Sequence, residues 1–375
     1  MLLYLHYPFC RRKCAYCGFS SRSLCRETEK VYLRGLLRDI AFWGERLQRP
    51  VLRTLYFGGG TPSLLRAKDL EAILRQLSSY FSWPEGVEFS LEANPDSLNS
   101  RDYIRFLRQL GVNRISLGLQ SLEDSNLLLL ERPHSVQQGI RSIEEVRAAG
   151  MERLGLDLLW GIPGQSPGAW IRDLQEALEL GADHLSCYCL SLEKGTKLWN
   201  KEQEGELSLP NEEELEDMFV KGSRLLQEQG FLHYEIANFA LPGAACEHNL
   251  GYWRGEDYLG LGPSAVSTLG NSRWSNPEDV QAYARAAEYG SLAGNAEVLT
   301  SRDRAREKLM LSLRRREGLD MEEYRALSGE NIQRTRAVEI DSLHQRGLLW
   351  MENGRLGLTL SGMLLSDSIT QALMQ

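Results

Sequence analysis

Short apolar runs alternate with amphipathic stretches along the first half of this chain. The runs are Leu2–Tyr7, Leu52–Phe57, Val87–Leu91, Arg114–Leu119, Leu154–Trp160 and His184–Leu192, each of strand length. Between them, Tyr32–Ile40, Leu70–Leu77, Tyr103–Leu110, Ile140–Ala148 and Trp170–Leu180 repeat their apolar residues at helical spacing. Strands alternating with helices predict a parallel sheet with right-handed crossovers. Six such units suit a partial (β/α)6 barrel of the TIM type better than a doubly wound sheet. The strands end in polar residues or glycine: Cys10, Gly58 to Gly60, Glu92, Gln120, Asp157 to Gly161, and Glu193. Barrel loops build their sites at the carboxyl ends of strands, so these positions are candidates for one site.

After Glu212 the pattern changes. A helical stretch over Glu212–Gln229 precedes a strand over Tyr234–Phe239 and a loop rich in glycine, histidine and tryptophan through Gly262. From Ser301 the chain reads as a small α+β domain of winged-helix shape. Its helices are expected near Asp303–Leu313 and Ile332–Gln345, followed by a hairpin over Leu348–Leu360 that turns at Asn353-Gly354. The expected division is therefore a barrel over 1–230, a connecting region over 231–300 and a C-terminal domain over 301–375.

Composition narrows the function. The chain has 375 residues, with 42% hydrophobic, 25% charged and a net charge of −8. Such acidity argues against a general affinity for nucleic acid, although Arg302, Arg304, Arg306, Lys308 and Arg314 to Arg316 make the C-terminal domain locally basic. No apolar run reaches transmembrane length. The N-terminus places its apolar residues before its cations, the reverse of a secretory signal. The seven cysteines are an odd count, which argues for a reducing compartment and against a disulfide framework. A cytoplasmic protein is expected.

Three of those cysteines stand together as Cys10-Arg-Arg-Lys-Cys14-Ala-Tyr-Cys17. A closed tetrahedral zinc site wants four ligands, and here it would need His6 or Cys25 as the fourth. Three close thiolates suit an iron–sulfur cube that keeps one iron open. The cations Arg11, Arg12 and Lys13 are expected to lower the thiol pKa values.

With that motif, Gly58-Gly59-Gly60-Thr61-Pro62 and Glu92-Ala93-Asn94-Pro95 resemble the radical S-adenosylmethionine enzymes. Asn113-Arg-Ile-Ser-Leu-Gly-Leu-Gln120-Ser and Asp157-Leu-Leu-Trp-Gly-Ile-Pro-Gly-Gln165 are similar, more narrowly, to the oxygen-independent coproporphyrinogen III oxidase family. The resemblance runs from Leu3 to Ala265 and continues more weakly in the C-terminal domain. It implies that Cys10, Cys14 and Cys17 hold a [4Fe–4S] cluster. The methionine end of S-adenosylmethionine would chelate the open iron, and an electron from a donor such as flavodoxin or ferredoxin would cleave the sulfonium. It further implies that Gly59, Gly60 and Thr61 approach the methionine portion, and that Tyr4, Glu92, Gln120, Arg132 and Asp157 contact the nucleotide.

Within the family, Phe19 occupies the position where the true oxidases carry a fourth cysteine, and Cys10 lies close to the start of the chain, where they have a longer arm. These marks, together with His248-Asn249-Leu-Gly-Tyr252-Trp253, resemble the HemW branch, the haem chaperones. Gly18 departs from that branch, which often has Asp there. The resemblance makes His248 the candidate haem ligand, with Tyr252 and Trp253 able to stack on a macrocycle. The remaining histidines His134, His184 and His233 read as structural, Cys187 and Cys189 as a poor metal pair, and Cys246 as a buried small side chain. The implied function is to bind haem and pass it to acceptor haemoproteins. The alternative is oxidative decarboxylation of coproporphyrinogen III to protoporphyrinogen IX.

Overall fold

The computed structural model describes residues 1–98 and 100–374. Six parallel strands run in chain order side by side: β1 (Leu2–Tyr7), β2 (Thr54–Gly59), β3 (Glu88–Ala93), β4 (Arg114–Gln120), β5 (Arg153–Trp160) and β6 (His184–Cys189). Helices α1 (Arg26–Arg46), α2 (Ala67–Tyr80), α3 (Arg101–Gln109), α4 (Asp124–Leu129), α5 (Val136–Ala148) and α6 (Pro167–Glu179) supply the crossovers. This is the expected (β/α)6 barrel, left open between β1 and β6.

The two faces of these strands differ in chemistry, and that difference creates the site. Leu3, Leu5, Phe57, Leu91, Leu117 and Leu156 are buried in one cluster with helix residues such as Leu36, Ile73, Leu107 and Val146. The alternate positions Tyr56, Glu92, Ser116, Asp157 and Ser186 line a cavity inside the barrel. Side chains alternate along a strand, so an apolar outer face and a polar inner face share each sequence run. A TIM barrel usually fills its interior with branched apolar side chains; this one keeps a polar hollow.

Beyond β6 lie α7 (Lys197–Gln203) and α8 (Glu212–Glu228). The expected single strand over Tyr234–Phe239 is instead a hairpin of β7 (Leu232–Glu235) and β8 (Asn238–Ala240). The Glu235 carboxylate accepts the Ala237 N–H at 3.2 Å and so folds the chain back at 236–237. Residues 247–254, expected as loop, form helix α9 (Glu247–Arg254). Gly251 and the neighbouring aromatic residues are weak helix formers, so tertiary contact decides. The Glu88 carboxylate of β3 accepts the N–H of Glu247 at 3.0 Å and of His248 at 2.9 Å, and Gly255 ends the helix at φ 74°.

Strand β9 (Tyr258–Leu261) then pairs parallel with β1, followed by antiparallel β10 (Val266–Leu269), β11 (Ser272–Ser275) and β12 (Glu297–Val298). Helix α10 (Val280–Tyr289) packs on α1. Residues 231–300 thus extend the barrel's own sheet at both edges. The order is β12-β11-β10-β9-β1-β2-β3-β4-β5-β6-β8-β7.

The C-terminal domain begins with α11 (Ser301–Leu313), whose Thr300/Asp303 capping box sets its start. A small sheet of β13 (Leu319–Asp320), β14 (Leu349–Glu352) and β15 (Arg355–Leu358) includes the expected hairpin, turning at Asn353 and Gly354 with φ of 50° and 77°. The helix expected over 332–345 is broken at Arg336, where ψ is 29° and φ −124°. Leu319–Asp320 adds a third strand that a two-residue run does not announce.

Candidate functional site

The cavity at the carboxyl ends of the strands measures about 360 Å³. Cys10, Cys14 and Cys17 line it, and Gly59, Gly60, Glu92, Gln120, Arg132 and Asp157 line it too. The cysteine loop is held by backbone bonds from outside itself. Ala15 N–H donates to Leu130 O at 3.1 Å, Leu198 N–H to Ala15 O at 2.9 Å, and Leu24 N–H to Cys10 O at 2.8 Å. All three thiols are free of disulfides.

The expected electropositive activation does not hold for Cys10 and Cys17: burial pushes both thiols up. The cations are engaged elsewhere. Arg11 pairs with Asp96 at 3.5 Å, Arg12 with Glu131 at 2.8 Å, and Lys13 donates to Phe19 O at 3.3 Å. Desolvation penalises a thiolate more than these distant charges favour it.

The glycine turn after β2 is fitted against the cysteine loop. Gly60 N–H donates to Tyr7 O at 2.7 Å and Thr61 N–H to Phe9 O at 2.9 Å. A Cβ on Gly60 would stand 2.6 Å from Phe9 O, and Gly59 has φ +109° with the His6 ring in the way. Only glycine allows both the backbone conformation and the approach. Gly59 N–H points at Glu92, donating to its Oε2 at 2.9 Å, while Tyr56 O–H donates to Oε1 at 2.8 Å. Burial pushes the Glu92 carboxyl up to about 7 against both bonds, with the Asp157 charge adding to the rise. Asp157 is raised by burial as well and accepts from Ser116 O–H at 3.0 Å.

Arg132 ties the parts together. Its guanidinium donates to Asn94 Oδ1 at 2.6 Å, Gly118 O at 2.7 Å and Cys14 Sγ at 3.3 Å, and its Nε is buried without a partner. Asn94 in turn donates to Thr61 Oγ1 at 3.0 Å. Gln120 reaches this cluster across a bulge in β4, with φ at +72°. A non-glycine residue there is strained, and such strain collects at functional sites.

Tyr4 and Thr61 stand behind the lining rather than in it. Tyr4 packs beside Gly58 and Glu92 and its hydroxyl meets His6 Nδ1 at 3.0 Å. His248 lies lower, near the start of β2. It is 1% exposed, its Nδ1 is 2.7 Å from Thr54 Oγ1, and its ring stacks on Tyr56 at 4.8 Å. Tyr252 packs edge-on against it at 4.9 Å, and Nε2 is buried without a partner. Burial lowers its pKa to about 3, so the ring is neutral. His134, His184 and His233 are buried and hydrogen-bonded, as expected.

The sequence reading missed Tyr56, Ser116 and Arg114. Each occupies an inward position of an otherwise apolar strand, and this alternation was the available signal. Arg114 donates to Glu88 at 3.1 Å and to Ala244 O and Ala245 O at 3.0 Å, clamping the segment that leads into α9.

These residues fit an iron–sulfur cluster with its nucleotide. Three thiols, an arginine with an orphaned buried donor and a glycine turn share one cavity. Zinc fits less well. His6 is taken by Tyr4 and by Ser20 O at 2.9 Å, and Cys25 is exposed and donates to Glu27. Among the described residues no three His, Cys, Asp or Glu side chains close on a single ion. Nor is any helix among them long and apolar enough to cross a membrane.

Known proteins resemble the chain throughout. Residues 4–177 match the radical SAM superfamily and residues 299–365 the HemN C-terminal domain. Heme chaperone HemW of Lactococcus lactis is 33% identical, covering 98% of this chain and 95% of that protein. Heme chaperone HemW of Mycobacterium tuberculosis is 34% identical, covering 99% and 94%. A mitochondrial radical S-adenosyl methionine domain-containing protein 1 of Danio rerio is 31% identical over 98% of this chain and 85% of its own. Among solved structures, coproporphyrinogen III oxidase (HemN) of Escherichia coli superposes with a TM-score of 0.84 at 23% identity, covering 100% of this chain and 90% of that one. That likeness establishes a shared fold.

Proposed function

The chain belongs to the HemW family of the radical SAM superfamily, and on that footing we propose that it binds haem and passes it to acceptor haemoproteins. The observation that carries the reading is similarity along the whole length to proteins named heme chaperone, in both halves of the fold. Phe19 supports it against the oxidase alternative. It stands at the mouth of the cluster cavity, 70% exposed, where the true oxidases resembled here carry a fourth cysteine.

When bound, the [4Fe–4S] cluster supplies the electron that cleaves S-adenosylmethionine. This chain's residues do the rest. Cys10, Cys14 and Cys17 offer the thiolates, and Arg132 steadies Cys14. The Gly59–Thr61 turn would let backbone approach the methionine end, with the Gly59 N–H donating to Glu92. Glu92 and Asp157, both raised by burial, can accept from an ammonium group or ribose hydroxyls, and Gln120 donates or accepts beside them. Tyr4, beside Gly58 and behind the lining, is the remaining residue assigned to the nucleotide. His248 offers the partnerless Nε2 as a ligand atom for haem iron. A one-electron donor of the flavodoxin or ferredoxin kind would supply the electron, and the free cysteines suit a reducing, cytoplasmic setting.

Anaerobic assay of the reconstituted protein with S-adenosylmethionine, reductant and coproporphyrinogen III tests the choice. Haem binding with transfer to an apo-haemoprotein, and no protoporphyrinogen, is expected. Protoporphyrinogen formed at catalytic turnover would overturn the chaperone reading.

A further inference from the structure

A second cavity of about 700 Å³ lies between α9, strands β9 to β11 and helix α11 of the C-terminal domain. It falls well within the size range of cofactor sites. The cluster cavity, at about 360 Å³, is near the low end of that range.

The lining of the second cavity is chemically specific. Tyr252, Trp253 and Tyr258 bring aromatic surfaces to one side, and Met310 from α11 brings a thioether, a ligand class found at haem iron. Met310 is 40% exposed, unusual for a large apolar side chain inside a recess. Arg273, Arg304 and Arg314 line the same space. The facing carboxylates are Glu307, Glu235 and Glu256. Glu307 is taken by Arg273 and lies 3.6 Å from Arg304. Glu256 is taken by Arg53, and burial pushes the Glu235 carboxyl up to about 7. Arg314 stands over the Trp253 ring at 5.2 Å and reaches Asp367 at 3.1 Å, while its Nε is buried without a partner. In a chain of net charge −8, this recess gathers three guanidinium groups, and Arg314 keeps one buried nitrogen without a partner.

We propose that this second cavity is the cargo site, with the haem macrocycle against Tyr252 and Trp253 and its propionates on Arg304 and Arg314. The inference rests on the haem-binding reading above and adds where the haem sits. A planar dianion with two carboxylates on one edge matches an aromatic wall bordered by arginines. His248 does not line this cavity, but Tyr252, which packs edge-on against its ring at 4.9 Å, does. Tyr188 and Asn249 line both cavities.

Haem titration of the full-length, cluster-loaded protein tests the assignment. Arg304→Ala/Arg314→Ala is expected to weaken haem binding about tenfold or more while S-adenosylmethionine cleavage and thermal midpoint stay as in the parent. Haem dimethyl ester, lacking the propionate charges, should bind the parent about as weakly as haem binds the double variant, and the variant should not distinguish the two. Arg314→Lys, which keeps the charge, should restore part of the affinity. Haem affinity unchanged in the double variant would overturn the location alone. A parent protein that takes up no haem would overturn the haem reading and this inference together.

Discussion

At the residue scale, Gly60 shows how narrowly the proposed cofactor site is drawn. Its amide and that of Thr61 are spent on the backbone of Tyr7 and Phe9, the residues leading into Cys10. The space for a Cβ is already filled by the Phe9 main chain. Backbone cannot rotate away as a flexible side chain would, so Gly60→Ala must displace either the turn or the cysteine loop. The expected outcome is loss of S-adenosylmethionine binding by about tenfold or more, together with reduced iron content after reconstitution, since both depend on that contact. Equilibrium dialysis and iron analysis measure the two, and parental values for both would refute the coupling. Motif spacing made the three cysteines and the glycine turn readable in the sequence. It did not reveal that Arg132 joins them through Asn94 and Gly118, because a hydrogen-bond hub exists only once four separate loops have met.

At the element scale, α9 is a helix because the barrel makes it one. Glu88 of β3 caps its first amides, and Arg114 of β4 holds both Glu88 and the two carbonyls preceding the helix. The pair is largely buried, with side-chain exposures of 7% and 12%. Glu88→Ala leaves the Arg114 charge unanswered and uncaps the helix, which should cost about 3 kcal/mol of stability. Adding Arg114→Leu removes the stranded charge, so the double variant should be more stable than Glu88→Ala alone. Urea midpoints decide it: a double variant less stable than the single would mean that the buried charge is not the cause. The strands and helices of the barrel were legible because their two periods are clean. The region from 231 to 262 was not. A helix containing Gly251 and aromatic residues carries little intrinsic signal, and the hairpin at Glu235–Asn238 has no Asn-Gly or Asp-Gly turn to announce it.

At the scale of the whole molecule, the open barrel depends on the contacts that close its edges. Asp39 on α1 holds one edge. Its carboxylate accepts from Tyr283 O–H at 2.7 Å and Gly262 N–H at 3.0 Å, and so joins α1, α10 and the turn after β9. Burial nevertheless pushes this carboxyl from its ordinary 3.8 up to about 7. The folded chain therefore binds the proton more tightly than the unfolded chain. The stability this confers is fully present below pH about 4 and is lost as the pH rises to about 7. Asp39→Asn keeps an oxygen for both donors and cannot ionise, so it should reduce the fall in urea midpoint between pH about 5 and about 8. An equal fall in both proteins would show that Asp39 does not govern it. Glu92 and Glu235 titrate upwards in the same range, so a residual slope is expected. The other edge is held by the C-terminal domain, where Ile236 N–H donates to Arg314 O at 3.1 Å and Arg316 N–H to Tyr234 O at 3.2 Å. The sequence set this domain apart by its change of pattern, but only the fold brings its first helix to the wall of a cavity.

That Tyr188 and Asn249 line both cavities has a thermodynamic corollary if both ligands bind as proposed. Two ligands that share a wall can be coupled, and the coupling is then reciprocal: whatever factor the nucleotide applies to the affinity for the macrocycle, the macrocycle applies to the affinity for the nucleotide. If the wall yields in the same direction for both, the loaded state is reinforced until S-adenosylmethionine is cleaved, and its cleavage then loosens the cargo. The chemistry at the cluster would act as a release signal rather than as a transformation of the haem.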